Sequence, residues 1–229
     1  MLHRVRYVID VARGMLGTHP RTCPACGFVG RFRAHGLPPR FDARCPRCNG
    51  LERHRLFVLV DQRHRLVGAG SALLHIAPEP VLSAHLTQRV ATYTTLDLYR
   101  PADIRAPLEQ TGIADQSFDH IVCSHVLEHV DDRRALAEMF RILRPGGTLL
   151  AMMPVIEGWT TTYEASISSA SVRAQHFGQH DHVRYYGSDV RERIRAAGFA
   201  LDEKTAEGAD VVRYGLLRGE KVFVGTRPP

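Results

Sequence analysis

FDHIVCSHVLEHVDDRRALAEMFRILRPGGTLLAMMP, residues 118–154, decides how this chain is read. A short, nearly all-apolar run, Phe118–His125, leads into a segment where Leu136, Met139, Phe140 and Leu143 recur at three- and four-residue steps. That spacing puts the four on one stripe of a helix over 132–144. Asp131 or Asp132 can cap its amino end, and Pro145-Gly146-Gly147 stops it. A second apolar run, 148–155, follows. A strand–helix–strand unit whose strands are apolar on both faces belongs in a parallel sheet covered by helices on both sides.

The pattern continues outward. LLHIA (73–77), a helix near 80–89 and YTTLDL (93–98) precede the quoted stretch; a helix at 188–198, a strand near 199–204 and KVFVGTR follow it. The whole predicts an α/β fold with a doubly wound, mostly parallel sheet over residues 69–229. Residues 1–68 form a separate block: an amphipathic helix within 1–19, a Pro-, Gly-, Arg- and Cys-rich stretch at 20–50, and a helix over 51–67, with GAGS (68–71) as the linker.

Charge follows the same division. Residues 1–68 hold 13 Arg against four acids (+9), whereas 69–229 carry a net charge of −3. Such a basic block suits an anionic partner such as nucleic acid, but 28 of the 30 basic residues are Arg, a bias along the whole chain that weakens the argument. No window approaches 18 apolar residues and the first 16 residues are interrupted by charge, so a cytoplasmic protein with no membrane span is expected.

Stretch 20–50 has too few large apolar side chains to hold itself together. Cys23, Cys26, Cys45 and Cys48 give C-x2-C-x18-C-x2-C, the spacing with which two knuckles bring four thiolates to one tetrahedral zinc ion. Four cysteines leave no open position, so the zinc is structural and supplies folding free energy that the segment lacks. Cys123, alone in an apolar strand, belongs to the core.

In an open parallel sheet, ligands bind beyond the carboxyl ends of the strands, which here end at 75–80, 97–98 and 124–129. The 118–154 stretch resembles the central part of class I S-adenosylmethionine-dependent methyltransferases, in which a similar strand, a VLEHV segment and an RPGG turn occur together. The resemblance covers residues 72–155 and, less sharply, the remainder of the chain. It implies a seven-stranded Rossmann-like sheet and S-adenosylmethionine as cofactor. Asp97, with Leu98, matches the acid that holds the ribose, and Asp103-Ile104 sits where the adenine amino group is contacted. Ser124-His125 flanks the methionine portion. The first motif departs from the family: His75 replaces its acid, and Ala77-Pro78-Glu79-Pro80 replaces its Gly-x-Gly loop. A loop stiffened by proline cannot curl in the same way, although Glu79 can take the methionine ammonium or a hydroxyl. A cysteine knuckle, an ERHR segment and a HIAPEP loop also occur together in similar bacterial methyltransferase-like proteins.

Two segments can receive the methyl acceptor. The insertion at 156–187 contains His180-Asp181-His182-Val183-Arg184-Tyr185-Tyr186, which offers a general base in His182 or His180, with Asp181 beside them. In an extended segment His182 and Arg184 share a face, so Arg184 would clamp an anionic acceptor lined by Tyr185 and Tyr186. In Glu52-Arg53-His54-Arg55, Glu52 and Arg55 pair at helical spacing and leave Arg53 for substrate. His125 and His129 are expected as pocket and packing residues. These features predict methyl transfer to oxygen or nitrogen of a small or medium-sized metabolite. An RNA methyltransferase gripping its substrate through the zinc module, or a non-catalytic cofactor-binding or assembly module, are the alternatives.

Overall fold

In the computed structural model, which describes residues 2–36 and 38–229, the chain begins with helix α1 (Leu2–Met15) and two small antiparallel ribbons. Strands β1 (Pro20–Thr22) and β2 (Val29–Arg31) form one ribbon, β3 (Arg33–His35) and β4 (Arg40–Arg44) the other. Helix α2 (Glu52–His64) follows. Then come β5 (Ala72–Ile76), α3 (Pro80–Leu86), β6 (Thr92–Leu96) and β7 (Phe118–Ser124), a 3-10 turn at Leu127–His129, α4 (Asp132–Ile142) and β8 (Leu143–Met152). The chain closes with β9 (Tyr163–Glu164), α5 (Ala170–Phe177), β10 (Arg184–Tyr185), α6 (Val190–Ala196), β11 (Ala200–Thr205), α7 (Gly208–Tyr214) and β12 (Lys221–Thr226). Among the described residues no helix is long and apolar enough to cross a membrane.

Two compact units emerge. The first comprises Met1–Leu66, Pro80–His85 and Thr205–Glu220; the second comprises Val67–Glu79, Leu86–Lys204 and Lys221–Pro229. The first unit therefore recruits two segments from well beyond residue 68.

The main sheet runs β11-β12-β8-β7-β5-β6. Strands β6, β5, β7 and β8 are mutually parallel, and β12 is antiparallel to β8. The doubly wound α/β expectation holds, but with six strands where seven were expected. Beside β6, in the place of a seventh strand, the described residues form only an isolated parallel bridge, Leu96 to Ile104. Pro101 and Pro107 flank it, and a residue without an amide proton cannot extend a ladder.

The quoted stretch folds as its periodicity requires. Asp131 caps α4 by accepting from the Arg134 amide at 3.2 Å, while Asp132 turns inward. Leu136, Met139 and Leu143 are buried, and Phe140 packs edge-on against Phe199 at 5.1 Å. The helix ends at Ile142, two residues earlier than expected, and the RPGG segment is absorbed into β8. Only glycine fits at 147, where a Cβ would lie 2.8 Å from the Arg144 carbonyl and 2.9 Å from that of Asp119.

Around the cysteines the apolar cluster is small, Cys23, Phe32 and Cys45 with a few half-buried neighbours, while α2 buries Leu56, Phe57 and Val58 elsewhere in the first unit. Fully buried Arg55 compensates. Its Nε donates to the Tyr214 carbonyl (2.7 Å), Nη1 to those of Ala43 (2.8 Å) and Gly50 (2.9 Å), and Nη2 to those of Asp42 (3.4 Å) and Gly215 (2.5 Å). All five N–H groups are thus used, and the guanidinium also lies 4.5 Å above the Phe32 ring. The expected Glu52–Arg55 pair does not form, because Arg55's donors are engaged by carbonyls and Glu52 accepts from Arg40 at 3.0 Å.

Candidate functional site

Cys23 and Cys26 lie on one tight turn, Cys45 and Cys48 on another. In each the first cysteine's carbonyl accepts the amide of the residue four positions on, Gly27 or Asn49, and both of those residues have positive φ (71° and 60°). The four Sγ atoms lie within 4.8 Å of one another, with Cys23–Cys48 and Cys26–Cys45 both at 3.7 Å. A tetrahedral zinc with Zn–S bonds of about 2.3 Å has sulfur–sulfur edges of about 3.8 Å, so the cage matches the ion. Burial and the neighbouring sulfurs push the Cys23 thiol well above its ordinary range, and burial raises Cys48 to about 11. Four thiolates this close need a cation among them, and the closed four-sulfur set fits a structural zinc.

The second site lies at the carboxyl edge of the main sheet. The chain leaves β5 toward β6 on one side while β7 leads to β8 on the other, so the strand order reverses between β5 and β7. There, just past two neighbouring strands, two non-glycine residues adopt left-handed backbone: Ala77 (φ 48°) and His125 (φ 54°). Such strain costs about 1–3 kcal/mol per residue and collects at functional sites. Ala77 supplies the positive φ that a glycine would give, which is how the glycine-free HIAPEP loop turns. Its amide is fixed to the Leu96 carbonyl at 2.8 Å, and Pro78 and Glu79 continue the turn half-buried. His75 does not sit at the mouth: it is fully buried, with Nδ1 2.8 Å from the Tyr93 hydroxyl.

At the end of β6, Asp97 is mostly buried. Its Oδ1 accepts the amides of Tyr99 (2.8 Å) and Arg100 (2.9 Å), and Leu98 between them is exposed. Oδ2 has no hydrogen bond within the described residues. Asp103 is exposed and locks the local backbone, its Oδ2 accepting the Thr95 amide (2.8 Å) and hydroxyl (2.7 Å), while the Ile104 amide bonds to the Thr95 carbonyl. At the end of β7, Ser124 Oγ is buried and unpartnered among the described residues. A strained edge, a free carboxylate oxygen and an orphaned hydroxyl fit a polar cofactor such as S-adenosylmethionine.

Next to this edge, His125 Nδ1 lies 3.1 Å from Oε1 of Glu128, which is fully buried, and Glu128 Oε2 has no partner. Although burial disfavours its ionisation, the hydrogen bond and charge of His125 hold the Glu128 carboxyl below its usual range. His129 Nδ1 donates to the Asp181 carbonyl (3.2 Å), and its ring meets that of His182 edge to face at 4.7 Å. His182 is 5% exposed with an unpartnered Nδ1, and burial lowers its pKa against the pull of Glu128. Sequence reasoning missed Glu128 and took His129 for packing. Their signal was present in HVLEHV, where positions 125, 128 and 129 fall on one side of a single turn.

The other expected acceptor residues fare differently. His180 is exposed and contributes only its carbonyl, to Arg173; Asp181 is half-exposed with its carboxylate 3.5 Å from His129 Nδ1. Arg184 shares the inward face with His182, but its clamp role does not fit: Nε bonds to Glu164 (2.7 Å) and Nη1 to the Leu127 and Val130 carbonyls, with Asp132 at 3.8 Å. Nor does Tyr186 line a pocket, because its buried hydroxyl donates within the core, 3.0 Å from both Asp132 and the Leu127 carbonyl. Tyr185 is half-buried against Trp159 and Phe177, and Arg53 is half-buried on α2 of the first unit. An open cleft of about 470 Å³ beside His129 is lined by four acids, Glu109, Asp131, Asp132 and Glu164, against Arg133 and Arg184.

Comparison with known proteins adds likenesses over part of the chain. Residues 67–151 match a methyltransferase-domain family. Over 66 residues the chain is 39% identical to the ubiquinone/menaquinone biosynthesis C-methyltransferase of Klebsiella pneumoniae, covering 27% of this chain. The match spans 26% of that enzyme, about a quarter of the length of the curated relatives. Among solved structures, the 1,6-didemethyltoxoflavin N1-methyltransferase of Burkholderia thailandensis, with bound 1,6-didemethyltoxoflavin and S-adenosylhomocysteine, aligns with TM-score 0.53 at 15% identity over 76% of this chain and 77% of that one. An S-adenosylmethionine-dependent methyltransferase from Mesorhizobium loti gives TM-score 0.53 at 15% identity over 75% and 97%. These structural likenesses carry the fold. Residues 67–151 thus match a methyltransferase domain, and the second unit has the fold of S-adenosylmethionine-dependent methyltransferases.

Proposed function

We propose that this chain transfers a methyl group from S-adenosylmethionine to an oxygen or nitrogen of a small or medium-sized metabolite. The observation that carries the reading is the pairing of the cofactor edge with the buried Glu128–His129–His182 cluster directly beyond it. The bound cofactor supplies an electrophilic sulfonium methyl; alignment and loss of one acceptor proton are then what the protein must provide. Asp97 Oδ2 receives the ribose hydroxyls, and the Ala77 and His125 bends bring backbone close to the cofactor. Glu128, His129 and His182 gather around the acceptor's heteroatom and promote loss of its proton, with Asp181 holding the His129 ring. The acid excess lining the neighbouring cleft favours a neutral or cationic acceptor over the anionic one that a free Arg184 would have selected.

The RNA alternative loses ground in the first unit, where several arginines are already paired: Arg21 with Asp42, Arg40 with Glu52, Arg63 with Asp210, and Arg55 with carbonyls.

Calorimetry with S-adenosylhomocysteine tests the cofactor half. Asp97→Ala is expected to weaken binding by about 1–3 kcal/mol, the cost of leaving ribose hydroxyls without a charged acceptor; unchanged affinity would place the ribose elsewhere. For the acceptor half, transfer of radiolabelled methyl from the cofactor into a metabolite extract is expected to fall about 10²–10⁴-fold in His182→Ala, with His180→Ala within a few-fold of wild type. Equal losses in the two variants would remove His182 from the reaction.

A further inference from the structure

We propose that Glu128, His129 and His182 bind a divalent transition-metal ion, distinct from the four-cysteine zinc, and that this ion takes the acceptor's oxygen or nitrogen. One ligand atom from each of the three lies within 4.8 Å of the others. The tautomer of His129 follows from its surroundings: a carbonyl can only accept, so Nδ1 carries the proton toward Asp181 and Nε2 presents its lone pair. That arrangement, in which the distal ring nitrogen is anchored to a carbonyl, is how metal-binding histidines are held in orientation. Glu128 is held likewise, with Oε1 against His125 at 3.1 Å while Oε2 is buried and unpaired.

His182 Nδ1 is the second buried, unpaired atom of the cluster. A fully buried carboxylate and a nearly buried imidazole, each with an atom unpaired among the described residues, belong to a trio whose ligand atoms lie within 4.8 Å of one another. One cation takes lone pairs from all three groups, whereas a shared proton joins only two of them. Two imidazoles and one carboxylate suit zinc, manganese, iron(II) or cobalt(II) rather than magnesium or calcium, which prefer all-oxygen shells. Three protein ligands leave coordination positions open, as in catalytic sites, in contrast to the closed four-cysteine cage.

The chemical role deepens the methyltransferase reading and rests on it. A hydroxyl bound to the ion would have a lowered pKa and release its proton to solvent near neutral pH, leaving lone pairs on oxygen for attack. The acceptor lone pair then forms the new bond to the methyl carbon as the carbon–sulfur bond breaks. That bond's electron pair stays on sulfur, converting sulfonium to thioether.

The test uses the full chain, stripped of all metal by a chelator under reducing conditions and titrated with cobalt(II) or zinc. Wild type is expected to take up two equivalents. One cobalt should show intense thiolate charge transfer, the other only weak ligand-field bands. His182→Ala and the near-isosteric Glu128→Gln are expected to lose the second class, or weaken it at least 10-fold, and to keep the first. A single thiolate-bound equivalent in wild type, or a second one unchanged in both variants, would overturn the proposal. S-adenosylhomocysteine calorimetry separates the two readings. Cofactor binding and turnover with only the cysteine site filled would sink the metal and leave the methyltransferase standing. A second metal equivalent in a chain that binds no S-adenosylhomocysteine would do the reverse.

Discussion

Glu138 on α4, its side chain largely covered, accepts from Arg141 Nε and Nη2 (both 2.8 Å) and from the Thr111 amide (2.9 Å) and hydroxyl (2.6 Å). The Arg141 hydrogen bonds, with those of Thr111, hold its carboxyl at about 2. A folded-state pKa below the unfolded one contributes stability that is complete above about pH 4.5 and is lost as pH falls through about 2. Glu138→Gln is therefore expected to lower unfolding stability by about 1–3 kcal/mol at pH 7 in urea melts, with the gap to wild type narrowing below pH 4.5. A gap of constant size down to pH 3 would show that the ionised form contributes nothing. At this scale, what was legible in the sequence was local. The cysteine knuckles and Asp97 declare themselves through neighbours a few positions away. Arg184 misled because Glu164 and Asp132, which neutralise it, lie 20 and 52 residues distant, and the His129–Asp181 bond spans 52 residues in the same way.

Elements were legible where one face is apolar and the period is long, as in α4, β7 and β8. Helices α5 and α7 and the β9–β10 ribbon were not, because each is too short to set up an apolar period and is held by tertiary bonds that no period records. Helix α7 illustrates the mechanism: its terminal carbonyls at Tyr214 and Gly215 are satisfied by the Arg55 guanidinium from α2, which also ties β4 and the second cysteine knuckle. Arg55→Met keeps much of the volume but strands five carbonyls. Its expected cost is about 3–5 kcal/mol in the first unit's unfolding transition with zinc present, and Arg55→Lys should recover little because an ammonium has three donors. A loss under about 1 kcal/mol in Arg55→Met would mean that water replaces the guanidinium.

On the scale of the whole molecule, the chain passes between its two units five times, after Leu66, Glu79, His85, Lys204 and Glu220. A fragment of residues 69–229 looks in the sequence like a self-sufficient domain, yet it carries Pro80–His85 and Thr205–Glu220 without the unit they belong to. Helix α7 in that fragment lacks Arg55, Asp210 lacks its Arg63 partner, and His85 lacks Asp61, to which it bonds at 2.7 Å. The fragment is expected to show no cooperative melting transition and no S-adenosylhomocysteine binding by calorimetry, in contrast to the full chain. A fragment that melts cooperatively and binds with full-length affinity would reverse this. The consequence reaches into ancestry. A module stitched into its neighbour at five points cannot be gained, lost or exchanged by a single recombination near residue 68, since every such product leaves behind two segments without their partners. The zinc module and the methyltransferase domain are thus bound to descend as one heritable unit, and substitutions at their shared segments must be accepted or rejected by both.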